Sequence, residues 1–128
     1  MDRKRLDKRL QELSIYSNFY YRKELNALAQ VIAEDERLNC VLTGVHEANR
    51  KMLAVTDRRL IIIFAGALAA KAVTVIQRSA VSEYRFDKKF LFSKLSFRTN
   101  NGADFEFANT QGSLKELFEW AMRQPLPD

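Results

Sequence analysis

The sequence predicts a mainly β domain of the α+β class, in which seven short strands form a small sandwich or barrel flanked by helices. Two observations lead to this prediction. From residue 37 onward, short apolar segments alternate with polar turns at close and regular spacing. Apolar residues at helical spacing precede these segments and occur again after them. With 128 residues the chain has the size of one domain with a single core.

The N-terminal segment is predicted to be a short basic amphipathic helix with Asp2 as its N-cap. Three leucines follow at helical spacing: Leu6, Leu10 and Leu13. We expect this helix to dock on the domain or fray, because its apolar face is narrow and lacks Trp and Phe; binding to a membrane surface or a partner is the alternative. We therefore divide the chain into a helical extension, residues 1–20, and the domain proper, residues 21–128.

A second helix is predicted after Ser17 and Asn18. Its apolar stripe contains Tyr21, Leu25, Leu28, Val31 and Ile32. It ends near Glu34, Asp35 and Glu36, which we interpret as a solvated connection to the first strand. A metal site is disfavoured here, because successive side chains point in different directions and cannot converge on one ion.

The strands are predicted from alternating or continuous apolar runs. They are centred on residues 38–42, 52–55, 59–64, 73–76, 81–86, 90–98 and 103–108. The Asn101-Gly102 pair is a strong hairpin signal, and polar turns are predicted at residues 47–49 and 87–89. Residues 65–70 are the one apolar loop.

The last element is predicted to be a helix that closes one open end of the sheet. Ser113 and Glu116 have the spacing of a capping box, and Pro125 stops the helix. Its apolar stripe contains Leu114, Leu117, Phe118, Ala121 and Met122.

The segment from Thr56 to Leu60 is predicted to be the tight corner between the second and third strands. Thr and Asp side chains satisfy backbone N–H groups in such turns. Arg58 and Arg59 begin the third strand on opposite faces, and we expect one of them to pair with a carboxylate, without specifying which.

The third strand is apolar on both faces. Leu60, Ile62 and Phe64 alternate with Ile61 and Ile63. One face is therefore expected in the interior, and the other beneath a helix or an oligomer partner.

The stretch EDERLNCVLTGV…KMLAVTDRRLIIIF resembles the bacterial pleckstrin-homology (PH)-like family, in particular its small stand-alone YokE-like branch. The similarity rests on the acidic entry to the first strand and on the Thr-x-x-Arg-Leu corner, and it covers about residues 24–124. It implies a PH-like seven-stranded barrel capped by a C-terminal helix. It also implies a binding module rather than an enzyme.

No catalytic or metal-binding constellation is evident in the sequence. His46 is interpreted as a solvated turn residue and Cys40 as a core residue, and no CxxC, HExxH, P-loop or GxGxxG pattern occurs. We therefore expect no enzyme activity, no cofactor, no metal and no small-molecule substrate. One cysteine, no leader pattern and no apolar run of about 20 residues predict a cytoplasmic protein.

The first functional hypothesis is a scaffold module that associates with copies of itself. It rests on a surplus of apolar residues; the candidate contact residues are Ile61, Ile63, Phe90 and Phe92. Some bacterial PH-like proteins form symmetric rings, which the resemblance allows. Burial of the same residues under the N-terminal helices is the alternative.

The second hypothesis is peripheral binding to anionic membrane lipid. The net charge of +5 is uneven, and residues 50–98 alone carry a net +8. The candidate anion-binding residues are Arg50, Lys51, Arg58 and Lys71. The phosphoinositide signature of eukaryotic PH domains is not met, which leaves diffuse attraction to a charged leaflet.

Nucleic-acid binding is the third and least favoured hypothesis. It would use a basic sheet with interleaved aromatics. The residues concerned are Arg85, Lys88, Lys89, Phe90, Phe92, Lys94 and Arg98.

Overall fold

The chain folds into four helices and seven strands over the residues described by the structure, a computed structural model that covers residues 1–66 and 71–127. The helices are α1 (Arg3–Glu12), α2 (Tyr16–Phe19), α3 (Glu24–Val31) and α4 (Lys115–Arg123). The strands are β1 (Leu38–His46), β2 (Asn49–Thr56), β3 (Arg59–Ala65), β4 (Lys71–Gln77), β5 (Val81–Asp87), β6 (Ser93–Thr99) and β7 (Asp104–Thr110). Short 3-10 turns at Arg78–Ala80 and Gly112–Leu114 precede β5 and α4.

All strands pair antiparallel in one curved sheet with the order β4-β3-β2-β1-β7-β6-β5. Among the described residues the sheet is not closed, so β4 and β5 are its two edges. Its two halves, β1–β4 and β5–β7, pack face to face around one core, as in a PH-like barrel. The predicted fold class is therefore confirmed.

Gly44 lies where β1 crosses β7 at the corner of the sheet. A Cβ atom at this position would lie 2.8 Å from Thr110 Cγ2 and 2.9 Å from Phe107 Cβ. Only glycine lets the two strands approach this closely, and the approach joins the two halves of the sheet.

Helices α1 and α3 form a layer on the outer face of the β1–β4 half. Leu6 and Leu10 of α1 are fully buried, and the Arg9 guanidinium donates to the Leu38 carbonyl at 2.6 Å. The Asp2 carboxylate accepts the Arg5 N–H at 2.8 Å, so the predicted N-cap is confirmed. The predicted second helix corresponds to α3, but it begins only at Glu24, so Tyr21 lies outside it and is exposed; the short α2 precedes it.

Helix α4 packs against β1 and β2 and closes one end of the sheet, as predicted. Phe118 is fully buried and lies 5.9 Å from the Phe86 ring. The predicted capping box is wrong. Ser113 lies inside a 3-10 turn, so Leu114 takes the N-cap position and no side chain caps the helix.

The turns predicted near residues 47–49 and at Asn101-Gly102 are confirmed, whereas the turn predicted at residues 87–89 is a longer loop, because Asp87 still belongs to β5 and β6 begins only at Ser93. Gly102 has φ of +86° in the β6–β7 hairpin, and Glu47 and Ala48 have φ of +50° and +69° in the β1–β2 hairpin. Most of the predicted apolar loop, residues 67–70, lies outside the described residues.

Replacement of Gly44 by Ala should destabilise the fold by about 1–3 kcal/mol, because the added methyl group overlaps Thr110 and Phe107. Urea unfolding measures this change, and Ser113→Ala, at an exposed position, is the control. An unchanged unfolding midpoint for Gly44→Ala would contradict the close crossing of β1 and β7.

Candidate interaction surfaces

The corner between β2 and β3 is held by a buried carboxylate, that of Glu36. Glu36 is 3% exposed and accepts hydrogen bonds from Thr56 Oγ1 at 2.6 Å, Arg59 Nε at 2.9 Å and the Ala33 N–H at 3.1 Å. Thr56 Oγ1 in turn accepts the backbone N–H groups of Arg58 and Arg59 at 3.1 and 2.9 Å. We call these linked groups the corner clasp. It ties the end of the helical layer to the sheet.

The interpretation of Glu34, Asp35 and Glu36 as a solvated connection is wrong for Glu36. Burial raises the pKa of this carboxyl, but hydrogen bonds from Arg59, Thr56 and the Ala33 N–H outweigh burial and hold the pKa below its ordinary value. Glu36 is therefore ionised at neutral pH and serves the fold.

Both corner arginines pair with carboxylates. Arg59 binds the buried Glu36, and Arg58 lies 2.8 Å from the exposed Asp35 carboxylate while it also donates to the Asp35 carbonyl. The hydrogen bond that Arg58 donates to the Asp35 carboxylate raises the pKa of Arg58. Arg59 is thus the arginine of the buried structural pair, and Arg58 belongs to a surface pair.

The four candidate anion-binding residues do not form one cluster. The register row Met52–Ile63–Val73 places Lys51 and Lys71 near the same end of the β2–β4 half. Arg58 lies at the opposite end, beside the corner clasp. Arg50 donates to Thr43 Oγ1 at 3.0 Å and to the Asn109 carbonyl at 3.3 Å, so its guanidinium is already engaged.

Two of the four candidate self-association residues are interior. Ile61 and Ile63 are fully buried, because they share the face of β3 on which Arg59 reaches the Val31 carbonyl and α3 packs. The helical layer therefore covers this face within one chain, and no surface is left there for a partner. Phe90 and Phe92, by contrast, are 99% and 65% exposed.

The loop between β5 and β6, residues 88–92, carries the two most exposed large hydrophobic side chains among the described residues, those of Phe90 and Leu91. Leu91 between the two phenylalanines is 72% exposed. The predicted strand over residues 90–98 begins only at Ser93. Pairing between β5 and β6 ends at Asp87 and Lys94. Ser93 is buried and its hydroxyl oxygen accepts the Lys89 N–H at 3.2 Å, so the residues between them lie outside the sheet.

Strand β4 presents a second apolar surface at the edge of the sheet. It pairs with β3 on one side and has no strand on its other side among the described residues. Val73 and Val75 are 42% and 41% exposed. They continue the face that α3 covers on β3, since Val73 pairs with Ile63 and Val75 with Ile61.

The basic sheet considered for nucleic acid has few free cations. Arg85 pairs with Asp87 and Arg98 with Asp104, each at 2.7 Å. Phe97 is buried, with its ring stacked 4.8 Å from that of Phe105. Base stacking needs exposed aromatics flanked by free cations, so the sheet face itself does not favour nucleic acid. The exposed Phe90 and Phe92 lie in the loop between β5 and β6, beside Lys88 and Lys89.

His46 and Cys40 have structural surroundings. The His46 ring is 9% exposed and stacks 4.9 Å from Phe107, so its interpretation as a solvated turn residue is wrong. Cys40 is fully buried as predicted, and burial raises the pKa of its thiol. Within residues 1–66 and 71–127, no group of His, Cys, Asp and Glu could hold a metal ion, and no helix is long and apolar enough to cross a membrane.

Comparison with known proteins gives one family and several structural neighbours. The family model described as Bacterial PH domain matches residues 32–121. A protein of the DUF1696 family with a pleckstrin-homology domain from Shewanella loihica PV-4 is similar in fold, with a TM-score of 0.50, 16% identity, and coverage of 74% of this chain and 90% of that one. A pleckstrin homology domain from Shewanella amazonensis SB2B has a TM-score of 0.52 and 16% identity, over 77% of this chain and 86% of that one. No curated protein matches.

Acidification tests the corner clasp. Folding lowers the pKa of Glu36, so at acid pH the unfolded chain binds more protons than the folded chain. The contribution of Glu36 to the free energy of unfolding is therefore complete above the ordinary pKa of a glutamate and is lost as the pH falls through the lowered pKa. Glu36→Gln should lower the free energy of unfolding at pH 7 by roughly 1–3 kcal/mol and flatten its dependence on acid pH. Urea midpoints across an acid pH series measure both effects.

Asp35→Asn is the matched control for the corner clasp. It removes a carboxylate from the neighbouring exposed pair, and it should leave the midpoint near that of the wild type. Equal effects of the two substitutions would contradict the structural role of Glu36.

Proposed function

The chain belongs to the bacterial PH domain family, and from this premise we propose that it is a non-catalytic interaction module that associates with itself through strand β4. The family supports the first half of this proposal, since PH domains are typically binding modules. The YokE-like branch, the cytoplasmic location and the boundary at residue 20 stay predictions.

The free edge of β4 carries the proposal of self-association. An edge strand presents a row of backbone N–H and C=O groups that can pair with another chain. Sheet proteins commonly protect such edges with charged side chains, a bulge or a covering element. Between Lys71 and Arg78, β4 contains no charged residue, and its side chains are exposed or half-buried throughout.

The sequence of β4 suits a second copy of itself. In an antiparallel pair centred on Thr74, Val73 of one copy lies opposite Val75 of the other, on the same face. Lys71 then faces Gln77, so no like charges meet. Such a pair would give hydrogen-bond partners to the free backbone groups of both β4 strands and would join the two sheets into one continuous sheet.

The other candidate surfaces support self-association less well. A symmetric contact through Phe90 and Phe92 would bring Lys88 and Lys89 of both copies together, and repulsion between these charges would oppose the contact.

The alternative function, lipid binding through Arg50, Lys51, Arg58 and Lys71, has less support than self-association, because Arg58 lies at the opposite end of the β2–β4 half and is paired with Asp35. The structure therefore favours β4 as the contact between copies.

Light scattering coupled to size exclusion tests this proposal. We expect the wild type to elute as an oligomer at low and high salt, because apolar contacts and backbone pairing resist screening. Val73→Lys together with Val75→Lys should shift the mass to that of the monomer, since lysines on an edge strand oppose strand pairing.

Gln30→Lys with Ser113→Lys is the control for this test, because it adds the same charge at exposed positions outside β4. It should leave the mass unchanged. A monomeric wild type, or an oligomer that persists in the β4 variant, would overturn the proposal. Circular dichroism checks that each variant stays folded.

A further inference from the structure

We propose that the β5–β6 loop, residues 88–92, is a membrane-docking site that inserts Phe90, Leu91 and Phe92 into the surface of an anionic bilayer. This site is separate from β4 and from the four cations considered in the sequence. It rests on the exposure of the loop tip, the anchoring of the loop base and the charges around it.

The apolar tip of the loop has no cover within the described chain. Phe90, Leu91 and Phe92 are 99%, 72% and 65% exposed. Single exposed apolar residues are common on protein surfaces, but three large consecutive ones on a protruding loop mark a contact with a partner or a membrane. The chain returns to the interior only at the next residue, Ser93, which is buried.

The base of the loop is fixed, so the tip is held away from the domain. The Ser93 hydroxyl oxygen accepts the Lys89 N–H at 3.2 Å, and Ser93 pairs with Thr110 of β7. Gly112 packs against this base, because a Cβ atom there would lie 2.6 Å from Ser93 Oγ and 3.4 Å from Lys88 Cγ. A loop whose base is already fixed loses little conformational freedom when its tip binds a membrane.

Lysines surround the tip. Lys88 and Lys89 are exposed and, among the described residues, neither ammonium group has a carboxylate within ion-pair distance. Lys94, just after the loop, is exposed and lies 3.5 Å from Glu106. The nearest acidic residue in the sequence, Asp87, is engaged by Arg85 at 2.7 Å. The loop thus combines an apolar tip with a positively charged base.

This layering of charge matches the layering of a bilayer. Apolar side chains reach the acyl boundary while basic residues behind them attract anionic headgroups. A second copy fits less well, because a symmetric contact would place the lysines of both copies side by side. Three side chains at a loop tip also present far less surface than the roughly 800 Å² per partner of a stable protein interface.

Vesicle sedimentation tests the proposal with the full chain. The probes are phosphatidylcholine vesicles with about one third phosphatidylserine and vesicles of phosphatidylcholine alone. We expect binding to the anionic vesicles only. Lys88→Gln with Lys89→Gln should weaken this binding roughly 25-fold, since each basic residue near a charged leaflet contributes roughly a fivefold factor. Phe90→Ser with Phe92→Ser should weaken it at least about tenfold.

Matched controls use groups of the same kind elsewhere on the chain. Lys4→Gln with Lys8→Gln removes two exposed lysines of α1, and Tyr20→Ser with Tyr21→Ser removes two exposed aromatics, 55% and 67% exposed. Both controls should bind like the wild type. Because Phe90 and Phe92 lie outside the core, their double variant should keep the wild-type melting temperature.

Several results would overturn the proposal. They are a wild type that does not bind anionic vesicles, loop variants that bind like the wild type, and binding that is lost only on charge reversal at Lys51 and Lys71. A loop variant that changes the oligomer mass but not vesicle binding would assign the tip to a protein contact. The β4 variant should still bind vesicles, so failure of self-association and failure of membrane docking are distinguishable.

Discussion

The buried carboxylate of Glu36 determines which apolar surfaces of this protein stay free. It joins the end of α3 to Thr56 and Arg59 at the corner between β2 and β3, and so holds the helical layer on the outer face of the sheet. Under that layer Ile61 and Ile63 are fully buried. The apolar side chains on both faces of β3 are therefore largely covered within one chain. The exposed apolar side chains that remain lie on β4 and in the β5–β6 loop.

Charge separates these two remaining surfaces. The β4 edge is uncharged between Lys71 and Arg78, and its two exposed valines can meet their own copies across a two-fold axis. The loop tip is at least as apolar but is surrounded by lysines, so it repels its own copy and suits an anionic surface. If both proposals hold, a pair of copies joined along β4 carries two loop tips, one from each copy. Multiple weak membrane contacts in one assembly would then bind by avidity.

Local patterns predicted most of the architecture, because strand alternation, the Asn101-Gly102 hairpin and the apolar stripe of α4 depend on neighbours in sequence. The burial of Glu36 could not be predicted in the same way. A run of acidic residues is normally exposed to solvent, and Arg59, the partner of Glu36, is 23 residues away in the sequence. The outward position of Phe90 and Phe92 was expected from the sequence, but their place in a loop was not, since their alternation continues that of β6 and only the buried Ser93 marks the true start of the strand. Lys88 and Lys89 were interpreted from the sequence only as part of a polar turn. Their proposed role in attracting anionic headgroups follows from the exposed position of the neighbouring loop tip, which only the structure gives.

The most direct test of two separate surfaces is hydrogen exchange of the full chain, with and without anionic vesicles, at several protein concentrations. We expect the amides of β4 to become protected as concentration rises, whether or not vesicles are present. We expect residues 88–92 to become protected when vesicles are added. Protection of the loop by concentration alone, or unprotected β4 amides at every concentration, would contradict the assignment of two separate surfaces.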